Sequence, residues 1–193
     1  MSCSHRRVLL KVLLTVVLAA GFLADATGAK AQAHAPTILQ MRDGYLADMD
    51  TVHAKIMALA NAIPEAKFDW KPTPEVRTVA NAFMHVAIEW TVWVPVSAGG
   101  EPPAGWSPER RAKMMAVTGK KQVIEELDKA WQHGRQQLAA ATEAKLANVR
   151  FTVYDPPLPF DKAAFKMAGD LHEHLGQLIT YTRLLGVVPP WSK

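Results

Sequence analysis

From Pro36 onward the apolar residues recur at three- and four-residue steps, interrupted by proline and glycine, and no long stretch alternates strictly with period two. The pattern predicts helices almost throughout. The first runs from about Thr37, an N-cap residue, to Ile63, with Leu39, Leu46, Met49, Val52, Ile56, Leu59 and Ile63 on one stripe and Pro64 as its stop. Phe68 to Pro74 reads as a loop, because its prolines lack backbone donors and push their predecessors out of the helical region. A second helix is predicted from Thr78, striped by Val79, Phe83, Val86, Trp90 and Trp93 and ending around Pro95 to Gly100. After a Pro/Gly-rich linker, Ser107-Pro108-Glu109 has the order of a cap, a first-position proline and a first-turn acid. A third long helix is predicted over about Lys120 to Ala147, and a fourth over Asp161 to Leu185, capped by Asp161 and closed by Gly186. The segment from Val149 to Pro159 reads as extended or irregular. Four long amphipathic helices predict an all-α fold, an antiparallel four-helix bundle.

The first 33 residues are of a different kind. A basic His5-Arg6-Arg7 start precedes an apolar run from Val8 to about Ala24, and small residues flank Lys30 and Gln32 as cleavage candidates. The charge-free part, Val12 to Ala24, is shorter than the roughly 20 residues a bilayer span needs, so residues 1–33 read as a secretory signal and 34–193 as the mature domain. The expected location is therefore periplasmic or secreted, with no stable membrane anchor after cleavage. The Arg6-Arg7 start resembles a twin-arginine export motif, and the apolar segment fits the general route as well. This leader also explains most of the charge. It holds four of the 22 basic and one of the 18 acidic residues, leaving 18 against 17 in the remainder and little support for nucleic-acid binding. The sole cysteine, Cys3, lies in the leader, so the mature chain has neither disulfide nor thiol chemistry of its own. Glycine-rich phosphate loops, paired-cysteine zinc motifs and a Gly-x-Ser-x-Gly elbow are absent from the sequence.

Candidate chemistry concentrates on two helices. Asp170 and His174 stand four apart on the fourth predicted helix, one above the other, while His172 points nearly to the opposite side. Two ligand-capable side chains so spaced can grip one metal ion. The second helix offers His85, with Glu89 one turn later at the flank of the apolar stripe. Spacing alone does not decide between a metal site and a hydrogen-bonded core histidine beside a solvated acid, since Asp-x-x-x-His is common by chance. Trp90, Trp93 and Trp131 read as core or rim aromatics, His53 as a partly exposed and His133 as a polar-face residue, and Arg110-Arg111 and Lys120-Lys121 as solvated surface.

The C-terminal run from Asp170 to Ser192, with its His174-Leu175-Gly176-Gln177 core and Pro189-Pro190-Trp191-Ser192 ending, closely resembles the end of the DinB-like (YfiT-like) family of metal-dependent bundle proteins. Trp70 to Arg77 followed by His85 is similar to that family's proline-rich loop and second-helix histidine. The resemblance covers 37–193. It implies a four-helix bundle holding a divalent metal through one histidine of the second helix and a His-x-x-x-His pair on the fourth; the corresponding positions here are His85, Asp170 and His174. Aspartate in place of the first histidine of the pair keeps a ligand but hardens the site, toward nickel, iron, manganese or zinc with an oxygen ligand. A metal on three protein ligands keeps a position for water, for which Glu89 is the candidate proton acceptor. Gln177 and Tyr181 could orient the ligands, with packing inside the bundle as the competing reading. Relatives in the family include hydrolases and thiol S-transferases, so the resemblance implies a metal-dependent hydrolase or thiol transferase acting on a small molecule. Bundles of the family pair, which implies a homodimer. The competing expectation is a non-catalytic envelope binding bundle that has lost the metal.

Overall fold

The computed structural model describes residues 35–192; the expected leader and His34 lie outside the described residues. The first helix, α1 (Ile38–Ala62), begins where expected. The Thr37 side chain accepts the Gln40 N–H at 3.2 Å while Gln40 Oε1 accepts the Thr37 N–H at 2.8 Å, a reciprocal capping box. It ends as Ile63 turns extended ahead of Pro64. Its last carbonyls are closed from outside, because Lys120 Nζ donates to Asn61 O at 2.7 Å and Ile63 O at 2.8 Å. Lys120 is thus a helix cap, and not the solvated surface charge its sequence context suggests.

The Phe68–Pro74 loop completes the start of the next helix, α2 (Val79–Ile88). The carbonyls of Trp70 and Phe68 accept the N–H groups of Val79 and Ala80 at 2.9 Å, and Thr78 caps Asn81 at 3.1 Å. Helical winding does not stop at Pro95. It widens into a π turn over Glu89–Trp93 and resumes as α3 (Val94–Ser97). Pro95 has no N–H for the carbonyl one turn back and its ring crowds that carbonyl, so the helix relaxes upstream, with the Val94 N–H donating to Glu89 O, five residues away. The inserted residue turns everything downstream by one position. Trp93, placed on the buried stripe by a regular 3.6-residue period, is 38% exposed, while Val94 and Ser97 are buried in its stead.

After α4 (Pro108–Met115), capped by Ser107 as expected, the third long helix is α5 (Lys120–Ala139). The expectation of one continuous helix to Ala147 is corrected: the chain breaks at Ala140 and restarts as α6 (Glu143–Ala147), because the Thr142 side chain caps Lys145 N at 3.3 Å. The irregular segment that follows forms one isolated antiparallel bridge, Phe151 with Leu158, and no strand is present among the described residues. The last helix, α7 (Phe160–Leu184), starts from Pro159 and not from an Asp161 cap; Asp161 falls in the first turn, where its charge still suits the helix dipole. Its end matches the expectation. Gly186 takes φ 75°, and the Gly186 and Val187 N–H groups close on Arg183 O and Thr182 O at 3.0 and 3.1 Å.

The four long helical segments form the expected all-α bundle. α1 packs on α5 and α7, and α2 packs on the same two, so α1 and α2 are diagonal across one core. Met49, Val52, Ile56 and Leu59 of α1 meet Phe83, Trp90, Leu127, Leu138, Leu171 and Leu178 there, all essentially without exposure. α5 comes unusually close to the π turn. A Cβ on Gly134 would stand 2.6 Å from the Trp90 carbonyl oxygen, so only glycine allows this approach. Among the described residues no helix is long and apolar enough to cross a membrane.

Candidate metal centre

Two helical pairs with a four-residue spacing face each other across the α2–α7 seam. His85 stands on the last full turn of α2 and Glu89 opens the π turn, while Asp170 and His174 stand one turn apart on α7. Glu89 lies between the imidazoles, its Oε1 3.0 Å from His85 Nε2 and 3.0 Å from His174 Nε2. The two rings are nearly perpendicular, with centroids 4.7 Å apart. One ligand-capable atom from each of His85, Glu89 and His174 lies within 4.8 Å of the other two, so these three residues could hold a metal ion.

Asp170 stands at the edge of this trio. Its Oδ1 is 3.8 Å from His174 Nε2, and its side chain is 43% exposed against 3% for Glu89. The sequence expectation therefore meets a different placement: His85 and His174 come together as expected, with Glu89 between them and Asp170 outside. A signal for Glu89 was present in His85-x-x-x-Glu89, which puts both groups on one helical face, and in the apolar residues that surround the acid.

Burial by itself would raise the Glu89 pKa, but hydrogen bonds from His174 and His85, together with their charges, prevail and hold it below the ordinary value. The His174 pKa is raised, chiefly by its hydrogen bond to Glu89, against the opposing effect of burial. Asp170 is raised as well, first by burial and then by the Glu89 charge. The carboxylate between the rings is thus kept ionised. It is the form a metal requires.

The donor set fits a divalent cation. Two imidazoles and one carboxylate make up both the three-ligand zinc sites that keep an open position and the facial triads that hold iron. Donors about a tetrahedral ion at 2.0–2.1 Å are roughly 3.3 Å apart, close to the 3.0 Å between Glu89 Oε1 and each imidazole Nε2. Two buried atoms of the trio, Glu89 Oε2 and His85 Nδ1, have no hydrogen-bond partner, and buried polar groups are rarely left so without a reason.

Neighbouring side chains sort into supports and bystanders. Gln177 stands one turn beyond His174 on α7, and its Nε2 donates at 3.3 Å to Tyr181 Oη, which in turn donates to Arg77 O at 3.2 Å. Gln177 and Tyr181 thereby tie the fourth long helix, one turn beyond its histidine, to the loop before α2. His172 faces away, toward Asp48 of α1 at 3.0 Å. His53 stacks on Trp131 at 4.8 Å and meets the edge of Trp90 at 5.2 Å, and burial lowers its pKa to about 4. His133 lies on the polar face, 3.2 Å from Glu101 O.

A match to the DinB superfamily extends over residues 48–178, from the middle of α1 to the last turns of α7. The chain belongs to the DinB superfamily. The matched span contains every residue of the trio and Asp170, so this DinB-superfamily bundle carries its candidate metal ligands inside the family's own region. No curated protein matches the chain.

Proposed function

We propose that this DinB-superfamily protein is an exported metal-dependent enzyme, a hydrolase or thiol transferase acting on a small molecule. The observation that carries the reading is the buried Glu89 carboxylate, bridging two imidazoles at 3.0 Å with its second oxygen unpartnered. His85, Glu89 and His174 would hold one divalent ion: zinc, nickel, iron or manganese. The ion would supply Lewis acidity and lower the pKa of water at its open position.

In this reading the two carboxylates exchange the roles that the family resemblance implies for them. Glu89, almost fully buried and held ionised, suits a ligand; Asp170, exposed at the mouth and with a raised pKa, suits a proton acceptor for an attacking water or thiol. Glu89 itself holds His174 in the ring orientation that presents Nε2 to the centre. Export rests on the composition of residues 1–33, and pairing into a homodimer rests on the habit of the family.

The test is elemental analysis of the untagged protein, purified in its exported form, beside His85→Ala. About one ion per chain, lost in the variant, is the expected result. A folded, metal-free protein would overturn the enzyme reading in favour of a non-catalytic binding bundle. One observation favours that second reading: Glu89 can hydrogen-bond both histidines with no ion present.

A further inference from the structure

A recess of about 300 Å³ lies beside the exposed edge of the metal centre, lined by Tyr154, Phe165, Lys166, Gly169, Asp170 and Glu173. Asp170 joins the two, being both a wall of the recess and the neighbour of His174 at 3.8 Å. Gly169 forms the recess wall in the middle of α7, where glycine is a poor helix former. No atom lies within 4 Å of the place its Cβ would take, so packing does not demand a glycine there; its effect is to leave room. Phe165 is 78% exposed and is shared with a second recess of about 270 Å³, where Met41, Tyr45, Ala164 and Ala168 make a mainly apolar floor and Asp48 and Asp161 stand in the lining.

The charges in the first recess are of both signs and are set apart. Lys166 Nζ sits 5.8 Å from the centroid of the Tyr154 ring, and neither Lys166 nor Glu173 is in an ion pair among the described residues. Seven residues separate them on the helix, about 10 Å along its axis. An extended dipeptide spans about 7 Å, short enough to lie between the two charges. A carboxylate would meet the Lys166 ammonium, and an ammonium would meet Glu173 and Asp170. The second recess, apolar where Ala164 and Ala168 meet Phe165, adjoins the Lys166 end.

We propose that this pair of recesses binds a short peptide with free termini, its carboxylate at Lys166, its amino group at Glu173, and an apolar C-terminal side chain against Phe165. The proposal rests on the metal-centre reading, to which it adds a substrate class.

The probe is L-alanyl-L-leucine, titrated into the ¹⁵N-labelled protein and followed by amide chemical shifts, with metal content measured on the same samples. Shifts are expected around Gly169 and Asp170. Binding should weaken at least tenfold when the dipeptide is N-acetylated or C-amidated, and Lys166→Ala should erase the preference for the free acid over the amide. Gly169→Leu, which fills the recess with a better helix former, should abolish binding without loss of metal. Equal affinity for capped and free peptides, or shifts elsewhere on the bundle, would overturn the proposal. The two readings fail separately: a metal-loaded protein that ignores the dipeptide refutes the recess, and a metal-free protein that binds it refutes the metal centre.

Discussion

Gly134→Ala adds one methyl group at the contact that lets α5 approach the π turn. The new Cβ would stand 2.6 Å from the Trp90 carbonyl oxygen, a distance real Cβ atoms do not adopt, and the obstacle is backbone, so a rotamer change cannot relieve it. Forcing a methyl into a packed interior costs about 1–3 kcal/mol. Alanine's better helix propensity returns about 0.5–1 kcal/mol, leaving a net loss of about 0–2.5 kcal/mol. For a domain of this size each kcal/mol moves Tm by roughly 3 °C, so a fall of up to about 7 °C is expected in thermal unfolding followed by circular dichroism. Gly44→Ala is the matched control, since nothing lies within 4 Å of its Cβ position, and its Tm should rise slightly. Because Trp90 follows Glu89 in the π turn, Gly134→Ala should also weaken metal retention. An increase in Tm equal to that of Gly44→Ala would refute the close-packing argument.

Three further outcomes follow from the same geometry. Glu89→Gln should reduce metal retention at least tenfold, whereas Asp170→Asn should leave about one ion per chain; loss of metal in Asp170→Asn alone would make Asp170 the ligand and return Glu89 to proton transfer. The metal-free protein should be most stable near pH 6.5. His174, with its raised pKa, contributes stability that is full below its ordinary 6.5 and lost as pH rises through the folded value, while Glu89, with its lowered pKa, contributes stability lost only as pH falls from 4.5 through its folded value. His53 acts in between: buried neutral with a pKa near 4, it costs stability as the unfolded chain protonates between pH 6.5 and 4, and His53→Phe should flatten that part of a denaturation series. Thr37→Ala removes the capping box of α1 and should cost about 1 kcal/mol in chemical unfolding; an unchanged midpoint would mean the helix start is held by packing alone.

The helices were legible where local chemistry and periodicity agreed. Thr37 with Gln40, Ser107 with Pro108, and Gly186 before its prolines each mark a boundary with a hydrogen bond or backbone preference that acts within a few residues. Boundaries set by competition were harder to read. The helix ends at Ser97, inside the expected Pro95 to Gly100, but the surrounding apolar residues carry it past Pro95, and the strain is absorbed upstream as a π turn that periodicity cannot represent. Trp93, expected as a core or rim aromatic on the apolar stripe, lies at the rim for that reason. Thr142 lay in a run compatible with one long helix, and its role as a cap shows only when Lys145 N is seen pointing at its hydroxyl. The close approach at Gly134 depends on the partner helix, so no pattern within α5 announces it.

The candidate site adds a sharper lesson about spacing. His85-x-x-x-Glu89 and Asp170-x-x-x-His174 are equivalent as helical pairs, so periodicity treats their carboxylates alike. Their surroundings do not. Glu89 is embedded among Val86, Ala87, Ile88 and Trp90, all buried, and a carboxylate in such a run must find partners or lose its charge. Asp170 is preceded by Gly169 and stands between Lys166 and Glu173, residues that belong to a solvated surface. The apolar flank, read together with the spacing, marks Glu89 as the acid that needs two imidazoles, and the polar flank leaves Asp170 at the entrance, free to meet what enters.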